Sequence, residues 1–248
     1  MLQPKDQLML QKKIIAHRGI PVFSHENTID SFKKAVVLGA DVIEFDIRRT
    51  ADGVLVAFHD PSITHHQSEF MLKDLIFTKL QSIASEQKFQ IPTVREIFET
   101  FSGKIGFDID FKEENCEEET MSIASHYQCI ADCYCTSFNE SIVRKIQSLW
   151  PGIPSGLLIQ NSLILKDCDI STLNMLCPAV DIFLTNRALF ADWKAAGKYI
   201  AVWTVDEITY LEQMLSDTLI DFIITNRSDR AIQLRNQLFD KTHNGLKL

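Results

Sequence analysis

The chain has no long apolar run. Nowhere in its 248 residues are there about eighteen uninterrupted apolar positions, the length that a membrane-spanning helix requires. Polar residues are scattered through Met1–Lys13, so this segment also lacks the apolar stretch of a secretory signal peptide. We therefore expect a cytoplasmic protein with no integral membrane segment.

The chain also lacks the secretory context in which disulfides form. It has six cysteines, and without a signal peptide these are expected to be reduced thiols. Cys133 and Cys135 lie two apart in an apolar run and would share one face of a strand. The second pair of cysteines or histidines that a zinc site needs is missing there.

A basic stripe is absent as well. The net charge is −8, which disfavours nucleic acid as a partner, because binding to a phosphate backbone depends on clustered Lys and Arg. A small anionic substrate is compatible with this charge, since a few local cations and a metal can neutralise one phosphate. Nothing in the sequence indicates the oligomeric state.

No linker, repeat or low-complexity segment divides the chain, and short apolar runs alternate with amphipathic segments. This alternation is typical of repeated βα units with a parallel sheet. We predict an α/β protein, a single (β/α)8 TIM-type barrel over residues 1–248, the usual length for that fold. The segment Pro61–Ile91, with a short helix near Asp74–Ile83, is predicted to roof the active-site end. The predicted barrel strands are Lys13–His17, Val42–Ile47, Ile105–Phe111, Cys133–Phe138, Ser155–Ile159, Asp181–Thr185, Tyr199–Val205 and Asp221–Thr225.

A further apolar run, Val54–His59, follows the second strand too closely for a barrel crossover. Only Thr50–Gly53 separates the two, whereas a parallel crossover takes about a dozen residues and an Asp-Gly pair favours a tight hairpin. We predict an extra antiparallel strand after strand two. A two-residue turn at the Asp-Gly pair would place His59 opposite Asp46.

Carboxylates are predicted to converge inside the barrel. Glu44 and Asp46 lie two apart on a strand, so they project from the same face with about 6.6 Å between their Cα atoms. The third strand, about 4.8 Å away, carries Asp108, Asp110 and Lys112 on one face. Oxygen ligands of this kind select one hard divalent cation, Mg²⁺ or Ca²⁺, with Mn²⁺ as a further candidate.

Groups suited to phosphate chemistry accompany the carboxylates. His17 and His59 stand at strand ends, and histidine suits proton transfer near neutral pH. Arg18 offers the two-pronged donor that matches a phosphate diester, and Lys112 adds a point charge beside the metal. This is the inventory for cleaving a phosphate diester with a divalent metal.

The segment from Ile15 to Asp60 closely resembles the signature of the glycerophosphodiester phosphodiesterase family. The elements that match in order and spacing are His17-Arg18-Gly19, Glu26-Asn27-Thr28, Glu44-Phe45-Asp46 and His59-Asp60. The resemblance implies hydrolysis of a small-molecule substrate, a deacylated phospholipid. The products would be sn-glycerol 3-phosphate and an alcohol such as choline or ethanolamine.

The resemblance also implies a role for each main site residue. His17 and His59 would form the acid–base pair, and Arg18 and Lys112 would contact the phosphate. The family usually has a glutamate, its third metal ligand, at the position of Asp110. Because the side chain here is one methylene shorter, the metal lies closer to this strand, a water bridges the gap, or a neighbouring carboxylate helps.

Other residues are expected to support the site. Asp108 is the neighbouring carboxylate that could assist Asp110. Glu26 is expected to orient groups that touch the metal or substrate, although it could instead complement the dipole of the helix that follows. Trp203 either packs the barrel or forms an apolar wall for the glycerol or head group. Asn226 ends a Thr-Asn pair where the family usually has Thr-Asp.

The sequence leaves several alternatives open. Attack on phosphorus comes from water, or from the neighbouring glycerol hydroxyl through a cyclic phosphate, and either histidine could be the base. A barrel that has lost catalysis is a non-enzymatic alternative, resting on the shorter Asp110. A lysophospholipase D would need an apolar groove for an acyl chain. Candidate roof residues for that groove are Phe70, Met71, Leu72, Leu75, Ile76 and Phe77.

Overall fold

A computed structural model of the protein describes residues 12–167 and 169–244. Residues 1–11, which belong to the segment expected to carry no signal peptide, lie outside this part of the chain, as does Cys168. The strands are β1 (Lys13–Ala16), β2 (Val42–Arg49), β3 (Leu55–Ala57), β4 (Ser62–His65), β5 (Ser68–Met71), β6 (Gly106–Phe111), β7 (Cys133–Ser137), β8 (Ser155–Ile159), β9 (Met175–Pro178), β10 (Tyr199–Val202) and β11 (Phe222–Thr225). The α-helices are α1 (Ile29–Leu38), α2 (Phe77–Glu86), α3 (Val94–Phe101), α4 (Glu117–His126), α5 (Glu140–Leu149), α6 (Ile164–Asp167), α7 (Val180–Thr185), α8 (Arg187–Ala195), α9 (Ile208–Ser216) and α10 (Ser228–Asn244).

Eight parallel strands form a closed barrel. They follow one another around the ring in the order β1-β11-β10-β9-β8-β7-β6-β2, and β2 pairs with β1 to close it. The extra strand β3 lies outside the ring and pairs antiparallel with β2. The predicted (β/α)8 barrel with an added hairpin strand is therefore confirmed.

Alternation along β2 decides which side chains face the barrel interior. Ile43, Phe45 and Ile47 pack outward against the helices in one hydrophobic cluster. Because successive side chains of a strand point to opposite faces, Glu44 and Asp46 point inward. The barrel wall itself thus aims the two acids at the interior.

Capping fixes the helix that follows the first strand. Thr28 accepts a hydrogen bond from the backbone N–H of Ser31 and so begins α1. Phe32 and Ala35 on this helix are fully buried against the barrel wall. The end of the β1–α1 loop that leads into α1 is therefore fixed in place.

The predicted sixth barrel strand, Asp181–Thr185, is wrong. This segment belongs to helix α7, and the sixth barrel strand is β9, Met175–Pro178. The strand is buried along its whole length, whereas the helix buries Ile182 and Phe183 and exposes Asp181 and Thr185. Both segments are short apolar runs, which periodicity alone does not separate.

The predicted register of the hairpin is wrong by one residue. Ile47 pairs with Ala57, and the Asp46 carbonyl accepts from the backbone N–H of Phe58 rather than standing opposite His59. The reason is a three-residue loop that ends on Gly53, whose φ of +86° is the left-handed conformation such loops require. His59 therefore follows the paired segment and enters the site from beyond the strand.

The segment between β3 and α3 forms a small lobe with its own core. It contains the β4–β5 hairpin and helix α2. Ile63, Leu72, Leu80 and Ile83 are buried together there. No helix in the described part of the chain combines the length and apolar character needed to cross a membrane.

Candidate active site

A pocket of about 290 Å³ opens where the barrel strands end. Ligand sites of TIM-type barrels form at this end from the loops that follow the strands. The pocket is lined by His17, Arg18, Glu44, His59, Asp108, Asp110, Lys112, Thr136, Phe138, Leu158, Gln160, Trp203, Thr204 and Ile224. Of the ten predicted site residues, Asp46 and Glu26 alone are not in this lining. Asp46 is fully buried, and Glu26 forms an ion pair with Arg18.

Three predicted metal ligands lie together. Glu44, Asp46 and Asp110 each offer an oxygen atom, and these atoms lie within 4.8 Å of one another. The register of β2 against β6 explains the grouping, because Asp46 stands beside Asp110. Asp108 stands beside Glu44 and accepts a hydrogen bond from Thr136 Oγ1 at 3.2 Å. Its carboxylate is not part of the group of three.

The carboxylates carry more negative charge than their surroundings balance. Burial, then the charges of Asp46 and Asp110, raises the pKa of Glu44 well above its usual value. Burial raises the pKa of Asp110 to about 6, although Lys112 opposes the rise. Burial, then the charge of Asp110, raises the pKa of Asp108 to about 7. In the absence of another cation, protons would have to supply part of the missing positive charge.

The group of three fits a hard divalent cation. Its donors are all carboxylate oxygens, which Mg²⁺ and Ca²⁺ prefer. Asp46 Oδ1 and Asp110 Oδ1 are buried and accept no hydrogen bond, although Lys112 Nζ lies 2.9 Å from Asp46 Oδ1. Buried oxygens without hydrogen bonds are rare in proteins and suit metal coordination.

Arg18 lies on the turn that follows β1. Its φ is +54°, and the next residue, Gly19, has a φ of +83°. The turn directs the Arg18 backbone N–H to Glu44 Oε2 at 2.6 Å. The guanidinium donates to Glu26 at 2.9 Å, and its Nε lies 3.2 Å from Asp46 Oδ2. Glu26 and Asp46 thus hold this cation beside the pocket.

Lys112 is the second cation of the pocket, after Arg18. It follows β6, and its side chain is 10% exposed. Its ammonium group lies beside Asp46 and Asp110, and 5.5 Å from the centre of the Phe138 ring. Although burial opposes ionisation of Asp46, Lys112 and Arg18 hold the pKa of this carboxyl below its usual value.

His17 is oriented by a chain of hydrogen bonds. Asn226 donates from Nδ2 to Asp206 at 2.7 Å, which turns the amide oxygen toward His17. That oxygen lies 2.8 Å from His17 Nδ1 and can only accept, so Nδ1 carries the proton. Burial, then the charge of Arg18, lowers the pKa of His17. A neutral imidazole with an unprotonated Nε2 results.

His59 is oriented in a different way. Its Nδ1 lies 2.7 Å from the Asp60 carboxylate, and its backbone carbonyl accepts from Arg48 Nε at 2.8 Å. Arg48 is itself held by Glu113 at 2.9 Å. His59 therefore has a charged partner where His17 has a neutral amide.

Sequence reasoning missed the residues that hold the main site residues in place. Asn27 is buried and donates to Asp46 Oδ2 at 2.7 Å. Its place in the Glu-Asn-Thr element was a signal that could have identified it. Asn226 was visible as a departure from the family pattern. Asp206, which accepts from the Asn226 backbone N–H at 2.8 Å, lies three residues after Trp203 in a segment that also resembles the family, but no contact with Asn226 was predicted for it.

One side of the pocket is apolar. Trp203 donates from its indole N–H to the Cys177 carbonyl at 2.6 Å and packs edge-on against Phe138, with ring centres 5.4 Å apart. Leu158 and Ile224 complete this wall. Trp203 therefore both packs against the barrel and lines the pocket.

A second groove, of about 770 Å³, meets the pocket at His59. Its walls include Glu26, Asp60, Glu69 and Phe89. None of the six apolar roof residues suggested for an acyl chain lines the pocket or this groove. These six residues therefore do not face the pocket or the second groove.

Comparison with known proteins agrees with this geometry. Residues 17–230 match the model of the Glycerophosphoryl diester phosphodiesterase family. The chain is 30% identical to a glycerophosphodiester phosphodiesterase of Caldanaerobacter subterraneus, over 89% of this chain and 96% of the relative. It is 26% identical to a human lysophospholipase D, over 83% and 80% of the two chains.

The fold is shared with solved structures. A phosphodiesterase from Oleispira antarctica, whose structure was solved in complex with the product sn-glycerol-3-phosphate, superposes with a TM-score of 0.73 at 23% identity. The likeness covers 91% of this chain and 96% of that one. With the family match across most of its length, this chain belongs to the glycerophosphoryl diester phosphodiesterase family of phosphoric diester hydrolases.

Proposed function

We propose that this protein hydrolyses glycerophosphodiesters to sn-glycerol 3-phosphate and an alcohol by metal-dependent acid–base catalysis. The observation that carries the proposal is the convergence of acids, cations and histidines on one small pocket. The name of the Caldanaerobacter relative and the product bound in the Oleispira enzyme support the substrate class.

Glu44, Asp46 and Asp110 are proposed to hold one divalent cation, Mg²⁺ or Ca²⁺, with Mn²⁺ as an alternative. The unbalanced charge and the unbonded oxygens of this group support the assignment. When bound, such a cation supplies Lewis-acid stabilisation of the negative charge on the phosphate. Arg18 and Lys112 lie beside the same carboxylates and are proposed to bind the remaining phosphate oxygens.

His17 is proposed to be the general base and His59 the general acid. The Asn226 amide oxygen accepts the Nδ1–H of His17, so the unprotonated Nε2 can take a proton from the attacking oxygen. His59 then protonates the leaving alcohol. Because His59 also lines the second groove, the alcohol portion of the substrate is proposed to leave toward Glu26 and Asp60.

The apolar wall formed by Trp203 and Phe138 is proposed to contact the carbon atoms of the glycerol. The name of the human relative favours a second candidate, a lysophospholipase D. The six suggested roof residues line neither the pocket nor the second groove, so the diester without an acyl chain is the proposed substrate.

A substrate panel tests the proposal. Purified protein stripped of metal is offered glycerophosphocholine, glycerophosphoethanolamine and lysophosphatidylcholine, with Mg²⁺, Ca²⁺ or Mn²⁺ in turn. We expect hydrolysis of the two deacylated substrates, detected as sn-glycerol 3-phosphate, only after a metal is added. Faster turnover of lysophosphatidylcholine would assign the lysophospholipase D reaction instead. No turnover of any substrate would favour a barrel without catalysis.

Asp110 and Asp108 give a matched pair of variants on one strand. If Asp110 is the third ligand, Asp110→Asn should weaken metal binding by about tenfold or more, and Asp108→Asn should matter less. Asp110→Glu should keep metal binding if packing tolerates one more methylene. Calorimetric titration of each folded variant with Mn²⁺ measures the effect. A larger loss in Asp108→Asn would exchange the two roles.

A further inference from the structure

A second group of metal-binding side chains lies on the small lobe, away from the barrel carboxylates. His65 ends strand β4, His66 begins the turn that follows, and Glu86 is the last residue of α2. Each offers one ligand atom, and the three atoms lie within 4.8 Å of one another. The group joins two elements that are distant in sequence, the β4–β5 hairpin and α2.

An unusual turn brings the two histidines together. His66 and Gln67 form a two-residue connection with φ angles of +47° and +64°, between the paired residues His65 and Ser68. Such turns favour Asn-Gly, because most side chains adopt left-handed φ values at a cost. In this conformation the imidazole rings of His65 and His66 lie 4.0 Å apart, although consecutive residues of a strand would point to opposite faces.

Glu86 reaches both histidines. Its Oε2 lies 2.7 Å from His65 Nε2 and 3.8 Å from His66 Nε2. The adjacent Gln87 donates from its side chain to the Thr64 carbonyl at 2.7 Å, which fastens the helix end to the hairpin. The three ligand atoms are therefore placed by two attached elements before any ion binds.

We propose that His65, His66 and Glu86 bind a transition-metal ion, Zn²⁺ above all. Two imidazole nitrogens and one carboxylate oxygen form a donor set typical of zinc, whereas the oxygen-only group in the barrel prefers hard cations. The His66 side chain is 83% exposed, so solvent water can complete a tetrahedral site. This proposal is independent of the proposed hydrolysis.

A metal at this place would bridge the two walls of the second groove. Thr64 and Glu69, which pair with each other one position before and after the residues that flank the turn, line the groove from the hairpin, and Gln87 lines it just after α2. An ion bound to both sides would fix the distance between them. Because the bound ion would link the hairpin to the end of α2, we assign the site a role in stabilising the lobe rather than in proton transfer.

Zinc titration of the full-length protein tests the proposal. Mg²⁺ is kept saturating so that the barrel group is occupied, and Zn²⁺ binding is followed by calorimetry. Co²⁺ replaces Zn²⁺ in a parallel experiment, because visible absorption reports its tetrahedral coordination. We expect one tight Zn²⁺ site, weakened about tenfold or more in His66→Ala and in Glu86→Gln. Zn²⁺ should raise the Tm of the wild type but not of His65→Ala/His66→Ala.

His126→Ala is the matched control, because it removes an exposed histidine from the end of α4. It should bind Zn²⁺ as the wild type does, and Glu44→Gln should also retain the site. Unchanged Zn²⁺ affinity and stoichiometry in the folded double variant would overturn the proposal. Hydrolysis by the double variant in Mg²⁺ should stay within about twofold of the wild type, so failure here is distinct from failure of the proposed reaction.

Discussion

Glu44→Gln and Asp46→Asn are each expected to lower kcat for a glycerophosphodiester by a factor of about 10² or more, with the fold retained. Each change keeps the side-chain shape but removes one of three charges from the group of ligands. Asp46→Asn also deprives Arg18 and Lys112 of an ionised partner. Steady-state kinetics over a metal titration measures the loss, and circular dichroism checks the fold.

A carboxylate remote from the pocket, Glu119, provides the control variant. Glu119→Gln alters an exposed acid on α4 that pairs with Arg49, and it should leave kcat unchanged. Removal of metal from the wild type by a chelator should reproduce the loss seen in the two site variants. Full activity in excess chelator, once metal removal has been demonstrated, would eliminate the metal-dependent mechanism.

His17→Ala and His59→Ala should each lower kcat by about 10² to 10⁴, the range for losing a positioned proton-transfer group. Neither histidine is among the three proposed metal ligands, so metal affinity should change little. His126→Ala should retain wild-type turnover. A His17 or His59 variant that keeps near-normal kcat would show that the histidine concerned is structural.

The pH profile separates the two roles. Burial and the charge of Arg18 lower the pKa of His17 below 6.5, so His17 remains unprotonated as the pH falls through 6.5. At saturating metal, the acid limb of kcat/KM should therefore lie below pH 6.5. The limb should persist in His59→Ala and disappear from the residual activity of His17→Ala. The opposite pattern would make His59 the base.

Much of the site could be predicted because its residues lie on or just after strands. Two-residue periodicity placed Glu44 and Asp46 on one face, and the parallel register then brought Asp110 beside Asp46. The first step uses only the sequence and the geometry of a sheet, whereas the register of β2 against β6 is read from the structure. The alternation of apolar runs with amphipathic segments likewise predicted seven of the eight barrel strands.

The errors arose where local pattern does not determine structure. Val180–Thr185 and Met175–Pro178 are both short and apolar, and only packing against the finished barrel makes one a helix and the other a strand. The hairpin register depends on a loop one residue longer than the Asp-Gly pair suggested. Asp206 binds Asn226 across neighbouring loops, a contact that no spacing in the sequence reveals.

The hydrogen bonds that orient His17 have a consequence for the order in which the site forms as the chain folds. His17 follows β1, whereas Asn226 follows β11 and Asp206 follows β10, and these strands are neighbours in the ring. The family signature is complete by Asp60, yet a nascent chain that has not reached Asn226 has no acceptor for His17 Nδ1. The orientation of the proposed general base thus depends on the seam between the first and last barrel strands, and it is gained only when that seam closes.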